Sequence, residues 1–216
     1  MLQRLQRWGK AVGVAALIVS VAGAFIDHRQ FFRSYLVAYL LWLGIVLGCL
    51  GMGLISYVTG GAWAAAIRDV VIAGAGTLPL LAGLFVPVAI GVPDLYVWAQ
   101  PNAAPLDLAL PHQQIYLNVP FFLVRAALFL VTWIVVGLLM SRWSDPGAHG
   151  LDDTLTWRPD RRLRCLGAGG LILVGLTVSF AVIDWVMSLE PTWSSSIFPA
   201  MVAAGHLLVG FSLVIL

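Results

Sequence analysis

Residues 117–140 read LNVPFFLVRAALFLVTWIVVGLLM, and Arg125 is the one charged side chain in that stretch. A helix of this length spans the roughly 30 Å of a bilayer's hydrocarbon core, because each residue adds about 1.5 Å. Backbone N–H and C=O groups cannot stay unpaired in lipid, so such a run must be helical there. The stretch therefore predicts a transmembrane helix that carries one arginine within the membrane.

The composition of the whole chain agrees with this local pattern. Of 216 residues, 61% are hydrophobic and only 10% are charged, and the mean hydropathy is +0.95. A soluble domain has about 25% charged residues because its surface must be hydrated. This composition excludes a soluble enzyme, a disordered chain and a nucleic-acid-binding protein as first interpretations. It predicts a polytopic membrane protein.

Six apolar runs approach or reach the length of a membrane span. They are 11–26, 35–58, 70–93, 117–140, 165–189 and 197–216. We therefore predict an all-α fold, a bundle of six transmembrane helices that forms one integral membrane domain over residues 1–216. The first run also has the layout of a secretory signal peptide that would end near residue 24. We favour a retained first helix.

The distribution of Lys and Arg predicts the orientation. Nine lie on one side of the predicted spans: Arg4, Arg7, Lys10, Arg68, Arg142, Arg158, Arg161, Arg162 and Arg164. Two lie on the other side, Arg29 and Arg33. Positively charged loops remain in the cytoplasm. The N-terminus of this multi-pass protein is therefore predicted to be cytoplasmic, and the resemblance described below implies a bacterial inner membrane.

The last run ends at Leu216 without a polar flank, which indicates a fragment that lacks C-terminal helices. An offset of 162 residues places Ser34 on Ser196, Leu36 on Phe198 and Gly48 on Gly210. These matches suggest that the run 197–216 opens a second repeat with the orientation of the run 35–58.

Ionisable side chains within a span are functional candidates, because each costs several kcal/mol in lipid. Arg125 and Asp184 lie at similar distances from the outer ends of their runs, so we expect them to pair. A buried ion pair that only fixes helix packing is one interpretation. A proton-relay carboxylate controlled by the neighbouring cation, or a polar site for a ligand head group, is the other.

Three further residues are candidates. His206 lies in the middle of the last run, where a hydrogen-bonded interior histidine, a proton relay and a quinone contact all remain open. Tyr39 is a candidate quinone contact, although packing is the commoner role of such a tyrosine. Glu190 follows the run 165–189 and could extend a proton path to the surface. Neither a metal-ligand cluster nor a pair of facing histidines for haem occurs in the sequence.

Several motifs resemble one family. They are Phe31–Leu36, Leu41–Gly44, Thr59–Trp63, Thr77–Leu80, Tyr116–Phe122 with Arg125, Arg142–Ser144 and Asp184–Pro191. Together they resemble the NrfD-like membrane subunits of bacterial alternative complex III, a quinol:cytochrome c oxidoreductase. The similarity is greatest to the second of its two such subunits, labelled a quinone-binding subunit.

The resemblance implies about ten helices in two four-helix bundles with flanking helices. It implies other membrane subunits, an iron–sulfur protein and multihaem cytochrome c subunits as partners. It implies no redox centre in this chain itself, while quinol or quinone remains a possible ligand. Asp184 and Arg125 are the positions that we carry over to the family's proposed proton conduction.

Three functions follow as hypotheses. The first is a subunit of a quinol-oxidising respiratory complex, in which Asp184 exchanges protons, Arg125 sets its charge and His206 with Glu190 extends the path. The second is a structural scaffold that docks neighbouring subunits. The third is a stand-alone secondary transporter, which would need a substrate site at a broken helix, and Pro79 and Pro87 in the run 70–93 are its only support.

Overall fold

The computed structural model describes residues 27–60, 62–100, 116–144 and 159–215, together with the isolated positions Trp8, Gly13, Ala16 and Gly23. The predicted first span, 11–26, and the question of a signal peptide therefore lie almost entirely outside the described residues. Within the described ranges the chain forms helices and their connections, with no β-strand. The all-α prediction is confirmed for this part of the chain.

The helices are numbered here in chain order. They are α1 (His28–Thr59), α2 (Ala62–Ala75), α3 (Leu78–Leu84), α4 (Val86–Ile90), α5 (Val92–Leu95), α6 (Val119–Trp143), α7 (Arg161–Trp185) and α8 (Phe198–Ile215). Short 3₁₀ turns follow α5 at Val97–Ala99 and α7 at Met187–Leu189.

Five helical segments among the described residues are long and apolar enough to cross a membrane. They are His28–Thr59, Trp63–Ile90, Val119–Trp143, Arg161–Leu189 and Phe198–Ile215. Each coincides with one of the predicted runs, although the bounds differ. Large apolar side chains remain exposed on all five segments, as expected of surfaces that contact lipid rather than water. The structure thus indicates a membrane protein.

The predicted start of the second run, residue 35, is wrong by seven residues, because α1 begins at His28. Hydropathy omits the polar positions from 28 to 34, but Asp27 caps the helix there. Its Oδ1 accepts a hydrogen bond from the backbone N–H of Gln30 at 3.0 Å. With 32 residues, α1 is about 48 Å long and extends beyond a 30 Å hydrocarbon core.

The predicted run 70–93 is also corrected, because its helix begins earlier and is not continuous. Helix α2 begins at Ala62, since the single charged pair Arg68 and Asp69 lowers the hydropathy without breaking the helix. The helix then breaks between Ala75 and Leu78, and again at Phe85. Prolines in the first turns of α3, α4 and α5 explain the segmentation, since proline lacks the N–H that a helix interior requires.

Contacts between distant residues define the two ends of the bundle. His28 Nε2 lies 3.5 Å from Asp94 Oδ2, so α1 begins beside α5. At the other end, the hydroxyls of Tyr57 and Ser144 share a hydrogen bond, so α1 and α6 end together. We call the first end the Asp184 end, because α7 terminates there at Trp185.

Helix α1 is the most buried of the spans and α8 the most exposed. The two helices run parallel and cross at glycines. A Cβ on Gly48 would lie 2.0 Å from the backbone oxygen of His206, and a Cβ on Gly210 would lie 2.6 Å from the carbonyl carbon of Gly48. The glycines that the 162-residue offset equates therefore touch each other. The larger repeat stays a prediction.

Candidate functional site

A buried ion pair joins α6 to α7 near the Asp184 end. Arg125 Nε donates a hydrogen bond to Asp184 Oδ2 at 2.7 Å, and Nη2 donates to Oδ1 at 3.0 Å. The Asp184 side chain is 0% exposed and that of Arg125 is 9% exposed. Two parallel, charge-assisted bonds form the strongest arginine–carboxylate geometry. The pairing expected from their matching depths is confirmed.

The start of α6 explains how Arg125 is held. Asn118 caps the helix by accepting a hydrogen bond from the backbone N–H of Phe121 at 3.0 Å. Helical side chains point towards the N-terminus of their helix, so the guanidinium reaches back over the first turn. There Nη1 donates to the carbonyl oxygen of Tyr116 at 3.0 Å. This third bond fixes the guanidinium independently of Asp184.

Two aromatic rings contact the same guanidinium. Arg125 Cζ lies 3.9 Å from the ring centroid of Tyr116 and 4.4 Å from that of Phe121. Such contacts attract a cation to the ring face and contribute about 0.5–2 kcal/mol each. The positive charge is therefore stabilised by an anion, a carbonyl and two rings.

The Tyr116 hydroxyl is buried close to the carboxylate of Asp184, but no hydrogen bond of ordinary geometry joins them. Burial, followed by the negative charge of Asp184, raises the pKa of Tyr116 to about 12. The positive charge of Arg125 opposes this shift only in part. Tyr116 is therefore a neutral phenol beside the ion pair at ordinary pH.

The last turn of α7 is tied down by two hydroxyl groups. Tyr96 donates to the carbonyl oxygen of Trp185 at 3.0 Å, and Ser188 donates to the carbonyl oxygen of Asp184. Carbonyls at a helix C-terminus have no partner within the helix, so these bonds position the backbone of Asp184. Burial and the negative charge of Asp184 raise the pKa of Tyr96, which keeps it a donor.

Glu190 lies apart from this group. Its side chain is exposed, and Oε1 accepts a hydrogen bond from Thr192 Oγ1 at 2.6 Å. Neither a hydrogen bond nor an ion pair joins it to Asp184 within the described residues. Glu190 is therefore a surface carboxylate at the Asp184 end, and its part in a proton path stays a prediction.

Tyr39 lies on the buried face of α1, away from the ion pair. Its ring is 5.6 Å from that of Phe85 and 6.3 Å from that of Trp185, centroid to centroid, and its hydroxyl is buried without a partner. The neighbouring Tyr35 differs, because its hydroxyl donates to the carbonyl oxygen of Leu84 at 2.7 Å. The Leu84 carbonyl lies at the helix break near Phe85, where a transporter would bind its substrate. Here the Tyr35 hydroxyl already bonds to this carbonyl.

His206 lies on α8 beside Gly44, where a Cβ would be 2.8 Å from the imidazole Cδ2. Its Nδ1 is buried without a partner. His206 and Trp185 both line an apolar cavity of about 230 Å³ between α1, α6, α7 and α8. His206 therefore belongs to a second feature, separate from the ion pair.

Three residues of these two features were not singled out as site residues from the sequence: Tyr116, Tyr96 and Trp185. Tyr116 had a local signal, since it lies two residues before the cap residue Asn118 and an arginine in the second turn of α6 reaches back to that point. Tyr96 and Trp185 had none, because their roles depend on how α5 and α7 pack together.

Within the described ranges, no group of three or more His, Cys, Asp or Glu residues could hold a metal ion. No protein-family model matches the sequence, and no curated protein is significantly similar to it.

Proposed function

We propose that this chain is an integral membrane subunit of a quinol-oxidising respiratory complex of the quinol:cytochrome c oxidoreductase type. In this role Asp184 accepts and passes on protons that quinol oxidation releases, and Arg125 balances its charge. The electrons leave through redox centres of partner subunits, so the chain is part of an enzyme rather than a catalyst alone.

The observation that carries this proposal is the fully buried, two-bond Arg125–Asp184 pair at one end of the apolar bundle. Charged groups inside a membrane protein are costly, and they mark proton relays and ligand sites more often than ordinary packing positions. A carboxylate can take up a proton and release it again. A guanidinium keeps its charge at any physiological pH, so it can only compensate.

The extra contacts of Arg125 suit a carboxylate that changes its charge. When Asp184 is protonated, the guanidinium loses its anionic partner. Its bond to the Tyr116 carbonyl and its contacts with the Tyr116 and Phe121 rings persist. The cation therefore stays in place throughout a proton cycle, and the site does not need to rearrange.

The motif resemblance supports the wider setting. It favours neighbouring membrane subunits, an iron–sulfur protein and multihaem cytochrome c subunits as partners, and quinol as the reductant. The asymmetry of Lys and Arg favours a cytoplasmic N-terminus, and the resemblance favours a bacterial inner membrane. In that orientation the Asp184 end faces outwards, and Glu190 is the first exposed carboxylate beyond the pair.

A structural scaffold is the second candidate, and the completeness of the ion pair favours it. Every nitrogen of the Arg125 guanidinium has an acceptor, and both oxygens of Asp184 have a donor. A pair in which each of these nitrogen and oxygen atoms is bonded can clamp α6 to α7 without any chemistry. In that case the chain would anchor neighbouring subunits and nothing else.

The test is Asp184→Asn in the assembled complex, with quinol:cytochrome c turnover and proton release measured together. The matched control is Asp94→Asn, which alters a carboxylate at the same end that is 30% exposed. We expect the Asp184 variant to assemble but to lose at least about tenfold in turnover or in proton yield, and the control to keep both. Unchanged turnover and proton release in an assembled Asp184→Asn complex would refute the proton role and leave the scaffold.

A further inference from the structure

Four exposed arginines lie at the end of the bundle opposite the Asp184 end. They are Arg142 in the last turn of α6 and Arg161, Arg162 and Arg164 at the start of α7. We call them the basic patch. Helices α6 and α7 are antiparallel neighbours, because Trp133 Nε1 donates to Thr177 Oγ1 at 2.9 Å near the middle of both helices and the ion pair joins them near the Asp184 end. The end of α6 and the start of α7 therefore lie at the same end of the bundle.

The basic patch has no salt-bridge partner within the part of the chain that the structure describes. Asp160, the acid next to it in the chain, caps α7 by accepting a hydrogen bond from the backbone N–H of Leu163 at 2.8 Å. The first turn of a helix favours acidic side chains, yet that of α7 has none and carries arginines instead. Like charges three residues apart on one helix also repel each other. The fold itself therefore does not account for this excess of positive charge.

The exposed Trp143 indicates how deep the basic patch lies in the membrane. It ends the apolar span of α6 and is 42% exposed, and such tryptophans favour the boundary between hydrocarbon and headgroups. From the contact between Trp133 and Thr177, residues can be counted along both helices at about 1.5 Å each. Arg164 and Arg161 then lie about 5 and 9 Å beyond the level of Trp143. The headgroup layer adds roughly 5–8 Å on each side of the hydrocarbon, so these arginines reach the headgroups.

Chemistry and depth together select the partner of the basic patch. A guanidinium has five N–H donors and binds phosphate oxygens with pairs of hydrogen bonds. Arginines that reach the headgroup layer meet the phosphates of lipids first, and clusters of Lys or Arg beside a membrane span attract anionic lipids. A nucleic acid or an acidic protein would have to displace these headgroups. The observations therefore favour an anionic phospholipid.

We propose that the basic patch binds the phosphate groups of anionic phospholipids, and that this lipid neutralises the arginines of α6 and α7 together. The lipid then joins the two helices at one end of the bundle, as the Arg125–Asp184 pair does at the other. The inference is independent of the proposed function, because it needs only a membrane-spanning bundle. A respiratory subunit, a scaffold and a transporter would all have the same lipid site.

The experiment measures phospholipid binding to the protein, purified from its membrane in mild detergent, by native mass spectrometry. The probes are dioleoylphosphatidylglycerol, which is anionic, and dioleoylphosphatidylcholine, which has no net charge. The variant combines Arg161→Gln with Arg164→Gln. The matched control combines Arg29→Gln with Arg33→Gln, because these two exposed arginines lie at the start of α1, at the Asp184 end. Far-ultraviolet circular dichroism during heating establishes that each variant is folded.

We expect the wild type to bind the phosphatidylglycerol at least about tenfold more tightly than the phosphatidylcholine. The variant should weaken phosphatidylglycerol binding by about fivefold for each arginine removed. The control should leave it unchanged, because the Asp184 end also carries the carboxylates of Asp27, Asp94 and Glu190.

Equal affinity of the wild type for the two lipids would overturn the inference whether or not the variants fold, and it would leave the basic patch to an acidic segment of a partner protein. Unchanged phosphatidylglycerol binding in the folded variant, or an equal loss in the control, would overturn it as well.

Discussion

Replacing Arg125 by methionine strands the carboxylate of Asp184 in a site that is 0% exposed. The change removes two charge-assisted bonds to Asp184, at 2.7 and 3.0 Å, and one bond to the Tyr116 carbonyl. Breaking a buried ion pair by removing one partner costs about 3–5 kcal/mol, mostly because the remaining charge is unpaired. We expect a loss of about 4 kcal/mol in the free energy of unfolding.

Asp184→Asn strands the guanidinium instead, and it should cost about 3 kcal/mol, because the Tyr116 carbonyl and two rings still contact Arg125. The double variant has no unpaired charge and should cost about 3–4 kcal/mol, from buried polar groups that lose partners. The two single losses together exceed this value, which gives a coupling energy of about 3 kcal/mol.

The assay is denaturant-induced unfolding of the wild-type protein, the two single variants and the double variant in the same detergent. Residues in direct contact couple, whereas independent residues give additive losses to within about 0.5 kcal/mol. Additive losses would refute the pair as the dominant interaction of both side chains.

Three further predictions concern the surrounding structure. Gly48→Ala should destabilise the α1–α8 crossing by at least about 1–3 kcal/mol in the same unfolding assay, because its Cβ would overlap a backbone oxygen. Gly205→Ala is the control, since no atom lies within 4 Å of the added Cβ. It should be neutral or stabilising by up to about 1 kcal/mol. Tyr35→Phe should lower the free energy of unfolding by about 1–3 kcal/mol, because it leaves the Leu84 carbonyl at the Phe85 helix break without its partner. Tyr39→Phe should cost less, because the Tyr39 hydroxyl has no partner. Equal losses in the two variants would contradict this reading. The raised pKa of Tyr116 means that its contribution to stability is complete below about pH 10 and is lost as the pH rises towards about 12. The tyrosinate absorbance of the wild type and of Tyr116→Phe should therefore match near pH 10.5. The two proteins should differ only above that pH.

The five spans among the described residues were predictable from the sequence, because hydropathy depends only on the order of the side chains along the chain. It missed the first two turns of α1, because their mostly polar side chains lower the hydropathy, while the cap provided by Asp27 starts the helix there. It predicted one continuous run over 70–93 and used Pro79 and Pro87 only as support for a transporter, although proline removes a backbone donor whatever its surroundings. It did not anticipate that Tyr35 would occupy a carbonyl at one of these breaks.

The ion pair was predictable because depth along two antiparallel helices can be counted from their ends. The guanidinium's other partners were not, since the Tyr116 carbonyl and ring lie in a connection whose path hydropathy does not determine. The cavity was not predictable either. It arises from the packing of four helices, and no local pattern encodes a space between them.

The measurement that tests the central claim most directly is infrared difference spectroscopy of the assembled complex as quinol is oxidised. If Asp184 carries the protons, a carboxylic C=O band should appear or disappear during turnover, and it should be missing in Asp184→Asn. The absence of any carboxyl band in the wild-type complex, or the same band in Asp184→Asn, would contradict the account.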